Sequence, residues 1–380
     1  MRLGQLIRPA KVRRAGKGAY PILSMTMHSG LVHQSEKFKK RVASIDTSQY
    51  RVVTRSQLVV GFPIDEGVLS FQRLYDEAIV SPAYDVWNVV DDTSIDLRYL
   101  ERFLRSPNAL SFYKSKLRGT TARRRTLPDD IFLSLAIPLP SLPEQTRIAD
   151  MLDQADELRR TRRAALRELD HLSRSVFVDM FGDPATNPKV WPLLPIGEIG
   201  RVVTGNTPSR AVPEYFGDDI EWIKSDNINT PGDFVTHAIE GLSASGLAVS
   251  RVAPPSSILV TCIAGSPDCI GNAALTDRPV AFNQQINALI PEQGESDFLY
   301  YQFVVGKRLI QRASTSSMKG MVSKSRFEAV RFMFPPIDLQ REYASRVAAI
   351  RSLKRSFIDS LAQFEDLFAS LQHRAFRGEL

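Results

Sequence analysis

Lysine and arginine residues gather in three short stretches near the amino-terminal end of the chain. The stretches are Lys11, Arg13, Arg14 and Lys17; then Lys37, Lys39, Lys40 and Arg41; then Lys114, Lys116, Arg118, Arg123, Arg124 and Arg125. Ammonium and guanidinium groups bind phosphate oxygens, so such clusters can hold a polyanion. We predict that at least one cluster contacts phosphate. A solvated basic face without a ligand is the alternative that the sequence leaves open.

The second half of the chain offers polar loops in place of basic clusters. Hydroxyl, amide and basic side chains in loops are the groups that bind base edges and phosphates. The candidates are Thr204, Asn206, Thr207 and Ser209 in TGNTPSR, then Lys224, Ser225 and Asn227, then Lys319, Ser323, Lys324 and Arg326. The amides of Asn283, Gln284 and Gln285 are a weaker set, because such amides more often satisfy the backbone of a neighbouring loop.

The net charge is distributed unevenly along the chain. Residues 1–127 contain 22 Lys and Arg against 11 Asp and Glu, whereas residues 128–380 contain 27 against 31. The formal charge of +7 therefore comes from the first third of the chain. This asymmetry favours contact of the first third with a polyanion such as nucleic acid.

Motifs that would support catalysis are missing from the sequence. The segment GKR at 306–308 does not complete a phosphate-binding G-x-x-x-x-G-K-[ST] loop. The segment NPKV at 187–190 does not match the Asn-Pro-Pro-aromatic motif of adenine methyltransferases. Asp268 lacks the second carboxylate and the lysine of a metal-dependent nuclease. We therefore expect no catalytic residue, metal or cofactor in this chain.

Composition is that of a globular protein. Hydrophobic residues make up 43% and charged residues 24%, which is usual for a chain with a buried core. No apolar run reaches the roughly 18 residues that cross a bilayer, and the start of the chain lacks the apolar segment of a secretory signal. Cys262 and Cys269 have no further ligands nearby, so we interpret them as packing residues. We expect a cytoplasmic protein with no membrane partner.

The elements that must position these side chains occur twice. When the sequence is shifted by 195 residues, Pro140 matches Pro335 and Gln145 matches Gln340, and the two segment ends align without a gap. In both copies a proline-rich entry, IPLPSLPEQ or FPPIDLQRE, precedes some 35 residues free of Pro and Gly. This pattern predicts a long helix at the end of each half.

Heptad spacing gives each predicted helix an apolar seam. The predicted seam residues are Ile148, Leu158, Leu169, Leu172 and Val176 in the first helix, and Ile350, Leu353, Phe357, Phe364, Leu367 and Leu371 in the second. Helices of 35 to 40 residues are about 50 to 60 Å long, and only the other copy offers a partner of equal length. We expect the two helices to pack on each other. Two independent helices, each lying on its own domain, are the alternative.

Short strand-like stretches precede the helix in each half. RLGQLI at 2–7 answers PIGEIG at 195–200, and SQLVVGF at 56–62 answers SSILVTC at 256–262. The pattern predicts an α+β protein with two mixed domains and two long helices in the order domain, helix, domain, helix. The predicted regions are 1–136, 137–183, 184–333 and 334–380.

The chain resembles the DNA-specificity subunits of type I restriction-modification systems. The resemblance rests on PLPSLPEQTRIA with its long helix, on TGNTPSR with EYFGDDIEWIKSDNI, and on PVAFNQQINAL before the second helix. It covers nearly the whole chain, although IDLQREYA in the second copy lacks the Pro-Glu pair of the first. The resemblance implies two target-recognition domains held by an antiparallel helix pair, each domain reading one half of a split target in double-stranded DNA.

The same resemblance implies that partner proteins perform the chemistry. Modification subunits, two in number, would bind S-adenosylmethionine and methylate adenine after flipping it from the duplex. Restriction subunits would use ATP and magnesium. The helix pair would serve as the docking surface. A non-catalytic scaffold or inhibitor of the same fold, which binds protein without reading DNA, is the alternative function.

Overall fold

The computed structural model describes residues 1–27, 29–37, 46–91, 93–117, 127–229, 232–315 and 320–380. The chain forms two compact units, and each unit contains one end of each long helix. Unit 1 consists of Met1–Arg162 with Ser360–Leu380, and unit 2 consists of Arg163–Asp359. Both units mix helices with short strands, which confirms the predicted α+β class.

Unit 1 begins with a domain of short strands followed by helices. Its strands are β1 (Ile7–Pro9), β2 (Leu23–Thr26), β3 (Gly30–His33), β4 (Arg51–Thr54), β5 (Leu58–Val60), β6 (Leu69–Phe71), β7 (Glu77–Val80) and β8 (Asp85–Val89). Its helices are α1 (Gln34–Lys37), α2 (Leu97–Leu104), α3 (Pro107–Lys116) and α4 (Asp129–Leu133), and the first long helix, α5, spans Leu142–Phe181. The four-stranded sheet has the order β1-β8-β5-β6 and is antiparallel throughout.

Unit 2 repeats this design with more strands. Its strands are β9 (Leu193–Pro195), β10 (Gly200–Thr204), β11 (Phe216–Ile223), β12 (Gly241–Leu242), β13 (Val252–Ala253), β14 (Ile258–Thr261), β15 (Ile263–Ala264), β16 (Ala273–Leu275), β17 (Val280–Phe282), β18 (Ile286–Pro291), β19 (Gly320–Met321) and β20 (Arg331–Met333). Its helices are α6 (Ile196–Ile199), α7 (Ala244–Ala248), α8 (Ser296–Val305), α9 (Lys307–Arg312) and α10 (Lys324–Ala329), and the second long helix, α11, spans Ile337–Ala375.

The sheets confirm that the two halves are structural repeats. Within its described residues, unit 2 has two four-stranded sheets, and the one with the order β10-β18-β14-β16 matches β1-β8-β5-β6 strand for strand. Beside it, β17 pairs in parallel with β11 and antiparallel with β13. In unit 1, β7 likewise pairs antiparallel with β4, and Ile79 of β7 forms a parallel bridge with Ile22.

The long helices run antiparallel where they meet in unit 1. Ile148 and Leu152 near the start of α5 share a core with Phe376 beyond the end of α11. Further along α5, the Arg159 guanidinium lies 4.2 Å from the ring centre of Phe368. Residue numbers thus rise along one helix as they fall along the other, which confirms the predicted antiparallel packing within this unit.

Unit 2 shows the same arrangement with the helix ends exchanged. Lys354 of α11 pairs with Asp170 of α5 at 2.6 Å, and the Tyr343 hydroxyl donates to the Ser173 carbonyl at 3.0 Å. The Tyr343 ring also meets the Phe177 ring edge-to-face at 5.4 Å. The start of α11 therefore packs antiparallel to the end of α5.

A buried glutamine fixes the start of each long helix to its own domain. Gln145 Oε1 accepts from the Asp96 amide at 3.0 Å, and its Nε2 donates to the Pro140 carbonyl at 2.9 Å. Gln340 Oε1 accepts from the Glu295 amide at 3.0 Å, and its Nε2 donates to the Pro335 carbonyl at 2.8 Å. The glutamine of the repeated sequence thus satisfies the same backbone groups twice, as buried polar atoms require.

The predicted seam is correct at one heptad position and wrong at the other. Ile148, Leu169 and Ile350 are buried, and Val176, Phe357, Phe364 and Leu371 are half-buried. Leu158, Leu172, Leu353 and Leu367 are instead exposed, with relative accessibilities of 43 to 47%. The apolar pattern therefore assigned four leucines to the seam, whereas in the structure they lie beside it.

The second seam position lies one residue after these leucines. In the first helix it is occupied by Leu152, Arg159, Leu166 and Ser173, and in the second by Val347, Lys354, Leu361 and Phe368. Arg159, Lys354 and Ser173 are polar, so hydropathy alone selects the adjacent leucines. Arginine and lysine fit this position because their aliphatic stems cover apolar neighbours while their charged ends reach out.

Burial identifies further core residues. Trp87 and Trp222 are both buried. Cys262 is buried in the core, which makes it a packing residue, and burial raises the pKa of its thiol to about 12. Within the described ranges, no cluster of side chains is suited to a metal ion, and no helix is long and apolar enough to cross a membrane.

Candidate nucleic-acid interface

The loop that follows β10 is held close to its neighbouring strands. Gly205 makes this approach possible, because a Cβ atom there would lie 2.1 Å from the Asn283 carbonyl oxygen. The Gly205 amide donates to Ile286 at 3.0 Å and the Asn206 amide to Phe282 at 3.1 Å. Loop 204–210 is thereby fixed along the edge of the second domain.

Two of the predicted contact residues hold this loop in shape. The Thr204 hydroxyl donates to Asn287 Oδ1 at 2.7 Å. The side-chain amide of Asn206 holds the chain near residue 250. Its Nδ2 donates to the Val249 carbonyl and its Oδ1 accepts from the Arg251 backbone amide, both at 3.0 Å. Thr204 and Asn206 therefore position the loop, and their hydrogen-bonding groups face protein.

Two other predicted residues lie on the outer side of loop 204–210. Thr207 and Ser209 are both exposed. The Thr207 hydroxyl donates to Oε1 of Gln284, and the Ser209 hydroxyl accepts from the Ala211 amide at 3.3 Å. A hydroxyl group can donate and accept at once, so both side chains keep capacity for a further partner.

Three cations surround this loop. Arg210 and Lys224 share the carboxylate of Glu240, with an Arg210 Nη2 to Oε2 distance of 2.9 Å. The Arg251 guanidinium donates to the Thr204 carbonyl at 2.5 Å. Hydrogen bonds from Arg210 and then from Lys224 lower the pKa of Glu240 to about 2. Counting these four side chains, the loop surface carries three positive charges against one negative charge at neutral pH.

Aromatic rings support the arginine of this loop. The Arg210 guanidinium lies 4.5 Å from the centre of the Phe216 ring and 5.4 Å from that of Trp222. The Trp222 indole in turn donates to the Asn206 carbonyl at 3.3 Å. Stacking of this kind holds a guanidinium in place, and both terminal nitrogens of Arg210 also donate to Glu240.

The predicted residues Ser225 and Asn227, which follow β11, bond other groups of the protein. The Ser225 hydroxyl donates to Gln285 Oε1 at 3.1 Å, in a half-buried cluster of amides with Asn283. Asn227 is buried, and its side chain bonds the Lys224 amide at 2.9 Å and the His237 carbonyl at 3.0 Å. The Asn227 amide group is thus used to shape the turn, and a contact of Asn227 with DNA stays a prediction.

The candidates near the second helix entry make local contacts. Ser323 caps α10 by accepting from the Arg326 amide at 3.4 Å. Lys324 pairs with Glu328 one turn later at 3.5 Å. Arg326 donates to the Ala313 carbonyl at 3.4 Å. These contacts account for the fold of the segment, and a role at DNA stays a prediction.

The first domain places a basic loop at the equivalent position, directly after β1. Arg13 pairs with Glu77 at 2.5 Å, and its guanidinium lies 5.7 Å from the centre of the Tyr20 ring. Arg14 donates to Gln49. Lys11 and Lys17 are exposed on the same loop. A stacked arginine thus follows the first strand of the four-stranded sheet in both domains.

The remaining basic candidates fall outside the described residues. They are Lys39, Lys40, Arg41, Arg118, Arg123, Arg124, Arg125 and Lys319, together with the side chain of Lys37. Lys114 and Lys116 lie on the exposed surface of α3. Contact of these clusters with phosphate stays a prediction.

Two basic residues of this candidate surface, Arg210 and Arg251, were not predicted from the sequence. Arg210 is the last residue of TGNTPSR, and two aromatic residues, Phe216 and Trp222, follow it in the sequence. That spacing was the available signal for the stacking seen in the structure. Arg251 gave no signal, because it lies 41 residues beyond Arg210 and reaches the loop only through the fold.

Comparison with known proteins places the chain among specificity proteins. A family model described as the type I restriction modification DNA specificity domain matches twice, over residues 7–168 and 188–356. The type I restriction enzyme HindI specificity subunit of Haemophilus influenzae is 29% identical over 202 residues, which cover 51% of this chain and 42% of the relative. The MjaIX specificity subunit of Methanocaldococcus jannaschii is 33% identical over 126 residues, covering 30% and 27%. The matched stretches thus span less than half of either relative.

Solved structures share the fold at low sequence identity. A chain solved in work on complex assembly and conformational transition of the type I R-M system is 17% identical, with a TM-score of 0.60 over 100% of this chain and 97% of that chain. The S subunit of the type I restriction-modification system from M. genitalium is 15% identical, with a TM-score of 0.55 over 99% and 95%. Both comparisons support the architecture.

Proposed function

Because the chain belongs to the type I restriction modification DNA specificity family, we propose that it selects the DNA target of a type I restriction-modification complex. Each domain reads one half of a bipartite site in double-stranded DNA. The chain carries no catalytic residue of its own and leaves methylation and cleavage to partner subunits. We place this activity in the cytoplasm, where the DNA of a prokaryotic host lies.

The observation that carries the proposal is the shared position of the two loops. In the first domain Arg13 follows β1, and in the second domain Arg210 follows β10. These are the first strands of equivalent four-stranded sheets, and each arginine lies over an aromatic ring. Arginine held on an aromatic ring suits phosphate and guanine contacts, because its donors are fixed in direction. Two such loops in one chain fit a target made of two half-sites.

The test is a footprint of the assembled complex. The chain, purified with its modification subunits, should protect two short sequences separated by unread base pairs. The logarithm of affinity should fall linearly with the logarithm of salt concentration. The slope should correspond to the release of several counterions from the DNA. Normal assembly without sequence-dependent protection would instead favour the scaffold or inhibitor function.

The helix pair is proposed to set the number of unread base pairs. α5 contains 40 residues and α11 contains 39, so each is about 60 Å long. Inserting four residues at matching places in both helices adds about 6 Å. The gap between half-sites should widen by one or two base pairs at about 3.4 Å each. A target with the original gap would rule out this role of the helices.

The exposed leucines support docking of two modification subunits. Leu158 and Leu353 are related by the repeat, as are Leu172 and Leu367, and all four are exposed on the long helices. In unit 2, Leu172 and Leu353 line an open groove of about 550 Å³. Apolar surface of this kind marks contact sites for protein partners, and its repetition suits two copies of one partner.

Single substitutions test this docking. Leu158→Ser should leave one modification subunit per chain, and Leu158→Ser with Leu353→Ser should leave none, as measured by the mass of the complex in solution. Leu193→Ser, at an exposed position in β9, is the control and should leave two. By the same proposal S-adenosylmethionine binds to the modification subunits, whereas ATP and magnesium bind to restriction subunits that join through the complex.

A further inference from the structure

The side chain of Ile239 is fully exposed to solvent. Ile239 lies two residues before β12, and its relative accessibility is 100%. Burying an isoleucine side chain normally stabilises a protein. The fold gains no such stabilisation from Ile239, although its neighbours Ala238 and Glu240 both bond other residues of the protein.

The amino-terminal side of Ile239 is fixed to β11 through Glu221. The Glu221 carboxylate accepts from the Ala238 amide at 3.1 Å and contacts His237 Nδ1 at 2.7 Å. Arg278 binds the same carboxylate at 2.6 Å. Partial burial opposes ionisation of Glu221, but hydrogen bonds from Arg278 and His237 outweigh it and lower the pKa to about 2.

The carboxyl-terminal side of Ile239 is fixed through Glu240. Its carbonyl accepts from the Trp222 amide at 3.0 Å, and its carboxylate holds Arg210 and Lys224. Ile239 therefore projects from a backbone that is anchored at both neighbours. An anchored side chain loses less conformational entropy on binding than a mobile one, so this geometry suits a contact residue.

The surroundings indicate what kind of partner covers Ile239. Glu240 joins it to the surface of Arg210, Lys224 and Arg251. On the other side Arg278 is shared by Glu221 and Asp277, so that four cations face three carboxylates. A positive surface favours a polyanion. The apolar group that DNA presents at a base edge is the thymine 5-methyl group in the major groove, and it is read by aliphatic contact.

We propose that Ile239 contacts a thymine methyl group in the half-site read by the second domain. This inference rests on the proposed function, because it requires that the second domain bind DNA. Ile239 would then help to determine specificity, discriminating thymine from cytosine at one position, while the cations nearby bind the backbone.

The experiment uses the chain assembled with its modification subunits. Target duplexes are first selected from a randomised library. Each thymine of the selected target is then replaced by uracil, which removes only the methyl group. One replacement should weaken binding of the unmodified complex about three- to fivefold, the effect of losing roughly one buried methyl group. Ile239→Ala should weaken binding to the unmodified target by a similar or larger factor and should be insensitive to that same uracil.

The control is Val190→Ala, because Val190 is also apolar and highly exposed, at 84%, but lies in the connection between α5 and β9. It should leave affinity and uracil sensitivity unchanged. Thermal melting of both variants confirms that each is folded.

The possible failures are distinguishable. If Ile239→Ala binds every duplex as the unmodified complex does, the inference is wrong. It is also wrong if Ile239→Ala weakens binding and yet no uracil replacement matters, which would indicate a wedge between bases, or if the variant only impairs assembly with the modification subunits. If the unmodified complex selects no sequence at all, the proposed function itself has failed.

Discussion

The two domains hold their long helices with ion pairs of opposite polarity. In unit 1 the domain supplies the cation: Arg98 pairs with Asp150 at 2.6 Å, and Arg102 pairs with Asp153 at 2.8 Å and with Asp156 at 3.1 Å. All three carboxylates belong to α5. The domain helix α2 is thus positive where the long helix is negative.

In unit 2 the long helix supplies the cation. Arg351 of α11 pairs with Asp297 at 2.5 Å and with Asp233 at 2.7 Å, and both carboxylates belong to the domain. Arg351 stands at the repeat position of Asp156, 195 residues later. Asp297 is the second residue of α8, just as Arg98 is the second residue of α2.

The comparison shows which features the repeat retains and which it changes. Backbone pairing, sheet order and the buried glutamine are the same in both units, whereas the charges on both sides of the contact are reversed together. If the start of α11 were docked on the first domain, Arg351 would approach Arg98 and Arg102. Like charges at such a contact cost energy, so each domain accepts its own helix and disfavours the other.

The largest expected effect is a loss of stability that should be greater when the cation is removed from the more buried of the two contacts. Arg351→Ala leaves Asp233 and Asp297 without their cation at half-buried positions, with side-chain accessibilities of 14 and 23%, and should destabilise unit 2 by about 3 kcal/mol. Arg102→Ala should cost about 1 kcal/mol, because Asp153 retains Arg98 and Asp156 retains Arg159. Hydrogen exchange of the amides in α8 and α2 measures each loss. Equal losses would show that burial does not distinguish the contacts.

The next effect tests what the two units share. Gln145→Ala and Gln340→Ala each leave one backbone amide and one carbonyl buried without a partner, and each should cost about 2 kcal/mol. Gln154→Ala and Gln363→Ala, at exposed positions of the same helices, are the controls and should cost little. A loss confined to one unit, seen by urea denaturation, would contradict the equivalence of the two glutamines.

The smallest expected effect is a partial recovery of stability that tests the reversal directly. Arg351→Asp should be at least as harmful as Arg351→Ala. Adding Asp297→Arg rebuilds the polarity of unit 1 and should recover about 1 to 2 kcal/mol, which a double-mutant cycle measures as a coupling energy. Additive losses would indicate that residues 297 and 351 do not act as a pair.

The helices show how far sequence patterns predict contacts. Their existence, limits and mutual packing follow from the repeat and from the absence of Pro and Gly. The second seam position does not, because Arg159 and Lys354 occupy it while leucines lie beside it. A hydropathy pattern registers the charge at the end of a side chain, whereas packing here uses the aliphatic stem beneath that charge.

The interface shows the same division. TGNTPSR is recognisable as a polar loop after a strand, and its exposed Thr207 and Ser209 follow from residue type. Asn227 has the same composition signal and yet is buried, because its amide completes a turn. Side-chain amides serve either purpose, and only the neighbouring backbone decides between them.

The sequence alone determined the duplication, the α+β class and the two long helices, because these depend on local spacing and on which residues interrupt a helix. The tertiary structure decided which face of each helix is buried, which cations gather around loop 204–210 and which side of each contact carries the positive charge. Those features join residues that are distant in the chain, such as Arg351 with Asp233 and Arg251 with Thr204. Their energies depend on burial and distance, which only the folded chain fixes.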